Sequence, residues 1–158
     1  MSFTTILQGL NSARVKFVVI GGIAAAAHGS RRVTDDVDIC YDVSPPNLKR
    51  LSVLLAGWEA YPRGIERGLQ FFMDERQFRV TPTMTLVTTE GFFDVLDTVK
   101  GVGDYEKCRE RSIVISAFGV RFRILDLPSL IDAKRAAGRP RDLDQIPELE
   151  ALLALVSE

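Results

Sequence analysis

Phe17-Val18-Val19-Ile20-Gly21-Gly22-Ile23-Ala24 opens the stretch that decides the fold, and Asp36-Val37-Asp38-Ile39-Cys40-Tyr41 closes it. Four apolar residues in a row followed by two glycines predict a buried strand that enters a tight turn. The alanine-rich run Ile23 to His28 predicts a short helix. In the closing segment apolar and acidic residues alternate, so Val37 and Ile39 lie on one face of a second strand and Asp36 and Asp38 on the other. Strand, turn, helix and strand thus follow one another with no room for a long linker.

Working outward, Ile6, Leu7 and Leu10 share one face of an expected helix over Ser2 to Ala13. Ser44-Pro45-Pro46 is a helix start, continued at helical spacing by Leu48, Leu51, Leu54, Leu55 and Trp58. Pro62, Gly64 and Gly68 mark an irregular connection, after which segments 69–73, 77–80, 84–88 and 92–97 are expected to be extended. Asp104 caps a short charged helix to Arg111, and a hairpin is expected over 113–117 and 120–125 around Phe118-Gly119. Pro128 opens a helix to Ala137, stopped by Gly138 and Pro140, and Pro147 opens the last one. The resulting expectation is an α+β class: a mixed β-sheet with helices packed on it, an N-terminal helix and two C-terminal helices. Residues 1–158 show no repeat or low-complexity tract and are taken as one domain.

Composition narrows the function. The chain has 158 residues, 46% hydrophobic and 26% charged, with a formal net charge of −1. At this size a fold removes roughly 68–70% of the unfolded surface from water, so no metal or disulfide staple is required. A near-neutral balance gives no global footprint for DNA or anionic lipid. The apolar stretch Phe17 to Ala27 is shorter than the ~20 residues of a membrane helix, and the first residues lack a signal-peptide core. A cytoplasmic protein without a membrane partner is therefore expected. Cys40 and Cys108 form neither a redox nor a zinc motif and are expected to be buried, reduced thiols. His28 is the one histidine, which excludes zinc hydrolases with several imidazole ligands; just before Gly29, it is placed to satisfy late helix carbonyls.

Chemistry is suggested at three places. Gly21-Gly22 at the start of a helix lets a backbone approach a phosphate, although such a pair is often only a turn. Asp36 and Asp38 project from one strand face, close enough to share hard cations such as Mg²⁺, or else stand as two solvated acids. Asp94, between Phe93 and Val95, is costly to place in a core without a partner or a metal; Asp97 at the strand end ranks behind it. Arg32, just before the acidic strand, either reaches a phosphate or neutralises Asp35, Asp36 and Asp38. Lys134, Arg135, Arg139 and Arg141 form a positive cluster, a solvated face or a triphosphate contact, with Lys134 the leading candidate.

In combination, the strand ending in Gly21-Gly22, the short helix, the Asp36-x-Asp38 strand and the later Asp94 resemble the nucleotidyltransferase superfamily of DNA polymerase β-like fold. Ile20-Gly21-Gly22-Ile23-Ala24, His28-Gly29-Ser30, Arg32-Val33-Thr34 and Asp36-Val37-Asp38-Ile39 look like its small MNT-type and AbiEii-like branch. So do Leu130-Ile131-Asp132-Ala133-Lys134, Gly138-Arg139-Pro140 and Arg141-Asp142-Leu143-Asp144-Gln145-Ile146. The superfamily often carries Gly-Ser where this chain has Gly21-Gly22. The resemblance implies transfer of an NMP group, AMP foremost, from a nucleoside triphosphate to a hydroxyl. By the same resemblance Asp36, Asp38 and Asp94 hold two Mg²⁺ ions and serve as catalytic residues, while Gly21, Gly22, Arg32 and Lys134 bind the nucleotide. The branch implies a toxin–antitoxin setting, with a HEPN-type toxin protein or a tRNA as acceptor. The competing expectation is a nucleotide-binding or protein-interaction module of the same fold that has lost turnover.

Overall fold

The computed structural model describes residues 3–66 and 71–157. In chain order α1 is Phe3–Ser12, β1 Phe17–Ile20, α2 Gly21–Ala27, β2 Asp36–Tyr41, α3 Pro45–Gly57, β3 Tyr61–Pro62 and α4 Glu75–Val80. There follow β4 Met84–Thr88, β5 Gly91–Leu96, β6 Thr98–Val99, β7 Gly103–Asp104, α5 Tyr105–Glu110, β8 Ser112–Ala117 and β9 Val120–Leu125. Two helices close the chain, α6 Leu127–Ala137 and α7 Pro140–Val156.

One seven-stranded sheet runs in the order β3-β4-β5-β2-β1-β9-β8, while β6 and β7 pair separately. It is mixed: β2 pairs parallel with β5 and β1 parallel with β9, and the remaining neighbours are antiparallel. The expected mixed α/β class with helices on the sheet is the one found. β1 lies between β2 and β9, and all four of its residues are buried, which is why its sequence is a continuous apolar run. Ile6, Leu7 and Leu10 of α1 join that core, together with Leu48, Leu51 and Leu55 of α3. Among the described residues no helix is long and apolar enough to cross a membrane.

Several local expectations are corrected. Residues 77–80 are not extended: they belong to α4, because the Asp74 side chain accepts hydrogen bonds from the backbone N–H groups of Arg76 and Gln77 and starts a helix. Residues 71–73 have no regular structure, and 69–70 lie outside the described residues, as do Ser2 and Gly68. α2 begins at Gly21 rather than Ile23, so both glycines are its first residues. Gly138 ends α6 in the left-handed region, as its position implied, but Pro140 does not end structure. It is the first residue of α7, where a missing N–H costs nothing, and Pro147 falls inside that helix. Pro147 takes one bond from the ladder, the one to the Leu143 carbonyl, at an exposed residue; buried Asp142, Gln145, Ile146 and Leu149 hold α7 on both sides of it.

Candidate active site

Strand register brings the acids together. β1 sets Ile20 opposite Asp38, and the parallel pairing of β2 with β5 sets Asp38 opposite Asp94 and Asp36 opposite Phe92. Because side chains alternate across the pleat, Asp36, Asp38 and Asp94 all stand on one face of neighbouring strands. One carboxylate oxygen from each lies within 4.8 Å of the other two.

Three acids this close repel one another. Burial first, then Asp94, pushes the Asp38 carboxyl up from 3.8 to about 8. Burial and the hydrogen bond with Asp35 raise Asp36 to about 6. Asp94 is also raised by burial, with Arg63 opposing the shift. Asp38 and Asp94 act on each other directly: the Asp94 charge and the contact between the two carboxyls raise Asp38 further, while the same contact opposes the rise of Asp94.

The double glycine is what lets this cluster form. Gly21 has φ +66°, and a Cβ on it would collide with the Asp38 carboxylate. A Cβ on Gly22 would come within 2.6 Å of the Thr34 side chain. The backbone of α2 is thus packed directly against the acidic strand and the loop leading to it. That loop is tied to α7: Ser30 Oγ donates to Glu148 Oε1 at 2.6 Å, Gln145 Nε2 donates to Ser30 Oγ at 3.1 Å, and the Arg31 backbone N–H donates to Glu148 Oε2 at 3.0 Å.

Opposite the acids stands a basic wall. Lys134 Nζ lies 3.3 Å from Asp142 Oδ1, and Arg139 Nε donates to Asp142 Oδ2 at 2.6 Å. Burial acts to raise Asp142, but Arg139 and Lys134 overcome it and hold the carboxyl below its ordinary value. Lys134 also acts on Asp38 across the cleft, favouring its charged form. Arg32 donates from Nη1 to the Arg141 carbonyl at 2.7 Å. All seven residues selected from the sequence, Asp36, Asp38, Asp94, Gly21, Gly22, Arg32 and Lys134, line one cleft of about 540 Å³.

Other candidates lie elsewhere. Arg135 pairs with Glu150 at 3.2 Å, between α6 and α7. Asp97 is not part of the cleft lining. His28 is the C-cap of α2: its backbone N–H donates to the Ala24 and Ala25 carbonyls at 3.2 and 3.1 Å, while its ring Nε2 bonds the Leu125 carbonyl of β9 at 2.8 Å and joins α2 to the sheet. Cys40 and Cys108 are free and buried.

Arg63 escaped the sequence reading. It follows β3, its Nη2 donates to Asp94 Oδ1 at 3.0 Å, and its Nη1 lies 3.6 Å from Asp36 Oδ2. Of the two roles left open for Arg32, phosphate contact or neutralising Asp35, Asp36 and Asp38, the ion pair to Asp36 is made by Arg63. Pro62 and Gly64 on either side make the position look like a plain turn, and its acidic partners are far away in sequence, so no local pattern marks it.

No family model matches the chain, and no curated protein matches its sequence. Among solved structures it is similar to the crystal structure of an antigenic nucleotidyltransferase-like protein from Paracoccidioides brasiliensis. The TM-score is 0.51 at 14% identity, over 96% of this chain and 73% of that one. At that identity the likeness is one of fold.

Proposed function

We propose that the cleft is the active site of a Mg²⁺-dependent nucleotidyltransferase, which moves a nucleoside monophosphate, AMP foremost, from a triphosphate to a hydroxyl of a protein or RNA acceptor. The observation that carries this reading is the carboxylate cluster, with oxygens of Asp36, Asp38 and Asp94 within 4.8 Å of one another beside an open cleft. The donor set fits the ion: oxygen ligands suit Mg²⁺, which takes a few carboxylates and completes its shell with substrate phosphate. Asp36, Asp38 and Asp94 would hold it. When bound, a pair of such ions supplies charge stabilisation for the attacking and departing oxygens at the α-phosphorus.

The chain's own residues supply the rest. Asp38, its carboxyl pushed up to about 8, would give up its proton on serving as a ligand. The Asp94 carboxylate gives Oδ1 to Arg63 and keeps capacity to accept the acceptor's hydroxyl proton. Lys134, Arg139, Arg141 and Arg32 line the side of the cleft where the triphosphate's negative charge would lie. The segment resemblance over 130–146 favours a HEPN-type toxin or a tRNA as acceptor and a cytoplasmic toxin–antitoxin role.

Two measurements test the proposal. Calorimetric titration with ATP or CTP is expected to show binding that requires Mg²⁺ and is lost in Asp36→Asn/Asp38→Asn. Incubation with α-labelled ATP and host lysate is expected to label a protein or RNA, with Asp38→Asn reducing the rate on the order of 10³-fold, since each metal interaction contributes several kcal/mol. Nucleotide binding without any labelling would leave a binding module in place of an enzyme; binding indifferent to Mg²⁺ would overturn the metal site.

A further inference from the structure

We infer that Arg63 is a positioning residue for the acidic cluster: its guanidinium fixes the Asp94 carboxylate so that one oxygen is held and the remaining capacity faces Asp38 and the cation site. This rests on the metal-dependent reading of the cleft. The Arg63 backbone N–H donates to the Thr85 carbonyl at 2.9 Å, and Thr85 is the β4 residue paired with Asp94. Nη2 donates to the Leu86 carbonyl at 3.2 Å and to Asp94 Oδ1 at 3.0 Å. The guanidinium carbon sits 4.3 Å from the centroid of the Phe92 ring, and Phe92 is the register partner of Asp36. The group is thus anchored by its own backbone, by a strand carbonyl and by an aromatic face, each independent of the carboxylates.

Those anchors separate two roles. A cation that merely stands in for a metal would have to leave when the metal arrives, surrendering the Phe92 stack and the Leu86 bond. A positioning group stays, and the anchors favour staying. Hydrogen bonding alone does not account for the placement, because Arg63 Nε is buried and finds no acceptor among the described residues. A planar fork is also required: only guanidinium can stack on Phe92 while it reaches Asp94 on one arm and approaches Asp36 with the other.

Mn²⁺ binding, measured by calorimetry on the wild type, Arg63→Gln and Arg63→Lys, tests the assignment without any turnover. Arg63→Gln is expected to weaken Mn²⁺ roughly 10- to 100-fold, the usual effect of removing a group that orients a metal ligand. Arg63→Lys keeps the charge and is expected to recover little of that loss. Phe92→Leu removes only the stack, and is expected to give a smaller loss in a variant whose folding is checked by circular dichroism. Unchanged or tighter Mn²⁺ binding in Arg63→Gln overturns the assignment, and so does full recovery in Arg63→Lys. Absence of Mn²⁺ binding in the wild type overturns the metal-dependent function itself, a result distinct from a wild type that binds and a variant that binds equally well.

Discussion

Asp38 and Asp142 line the same cleft and titrate in opposite directions. Asp142 is 1% exposed yet stays below its ordinary value, because Arg139 at 2.6 Å and Lys134 at 3.3 Å more than offset its burial. Asp38 is pushed to about 8, with two further acids close by and Lys134 acting only at longer range. The basic wall is internally compensated; the acidic floor, with Arg63 its one ion-pair partner among the described residues, is not. A compensated pair holds its place without a ligand, whereas an under-compensated cluster is compatible with a divalent cation.

The largest effect that could break this contrast is a pH profile of the chelated protein. Asp36 at about 6 and Asp38 at about 8 both lie above the ordinary 3.8. A carboxyl raised by folding contributes its stability in full below the unfolded value, and that stability is lost as pH climbs through the folded value. Between about pH 5 and 8.5, urea unfolding in chelator is expected to show a loss on the order of 3–5 kcal/mol, at about 1.4 kcal/mol per pKa unit. Added Mg²⁺ should restore more at the alkaline end. A flat profile would mean the acidic floor is compensated after all.

Next in size, Asp142→Ala is expected to destabilise by about 2–3 kcal/mol, less than the usual 3–5 for a broken buried pair because Arg139 is 63% exposed and can rehydrate. Chemical denaturation measures it, and stability equal to the wild type would remove the structural role from the basic wall. The smallest effect sharpens the link between the turn and the floor. Gly21→Ala is expected to cost about 1–2 kcal/mol through its positive φ and the collision with Asp38. In an Asp38→Ala background the carboxylate collision is removed and only the Cβ contact at 3.1 Å is left, so a double-mutant cycle should show the penalty reduced; strict additivity would deny the contact.

Much of the site could be read from local pattern. Asp36 and Asp38 two apart on a strand must share a face, and an acid between Phe93 and Val95 announces itself by its desolvation cost. Arg63 announces nothing, since its value lies in partners brought to it by the β3-β4-β5-β2 order. The same limit explains α4 and α7. The Phe and Val content around 77–80 suggested strand until the Asp74 cap is given its due, and Pro147 suggested a helix start although packing carries α7 through it.

What the sequence determined by itself was the set of short-range facts: the buried β1 run, the left-handed Gly138 stop, the shared face of Asp36 and Asp38, and the mixed α/β class. These follow from the alternation of side chains along a strand and from backbone freedom at glycine, both properties of a few adjacent residues. Only the tertiary structure decided that Asp38 faces Asp94, that Lys134 is spent largely on Asp142, and that Arg63 is the cation on the acidic floor. Charge interactions act through space and depend on burial, so residues remote along the chain set them, and the register of the folded sheet chooses which ones meet.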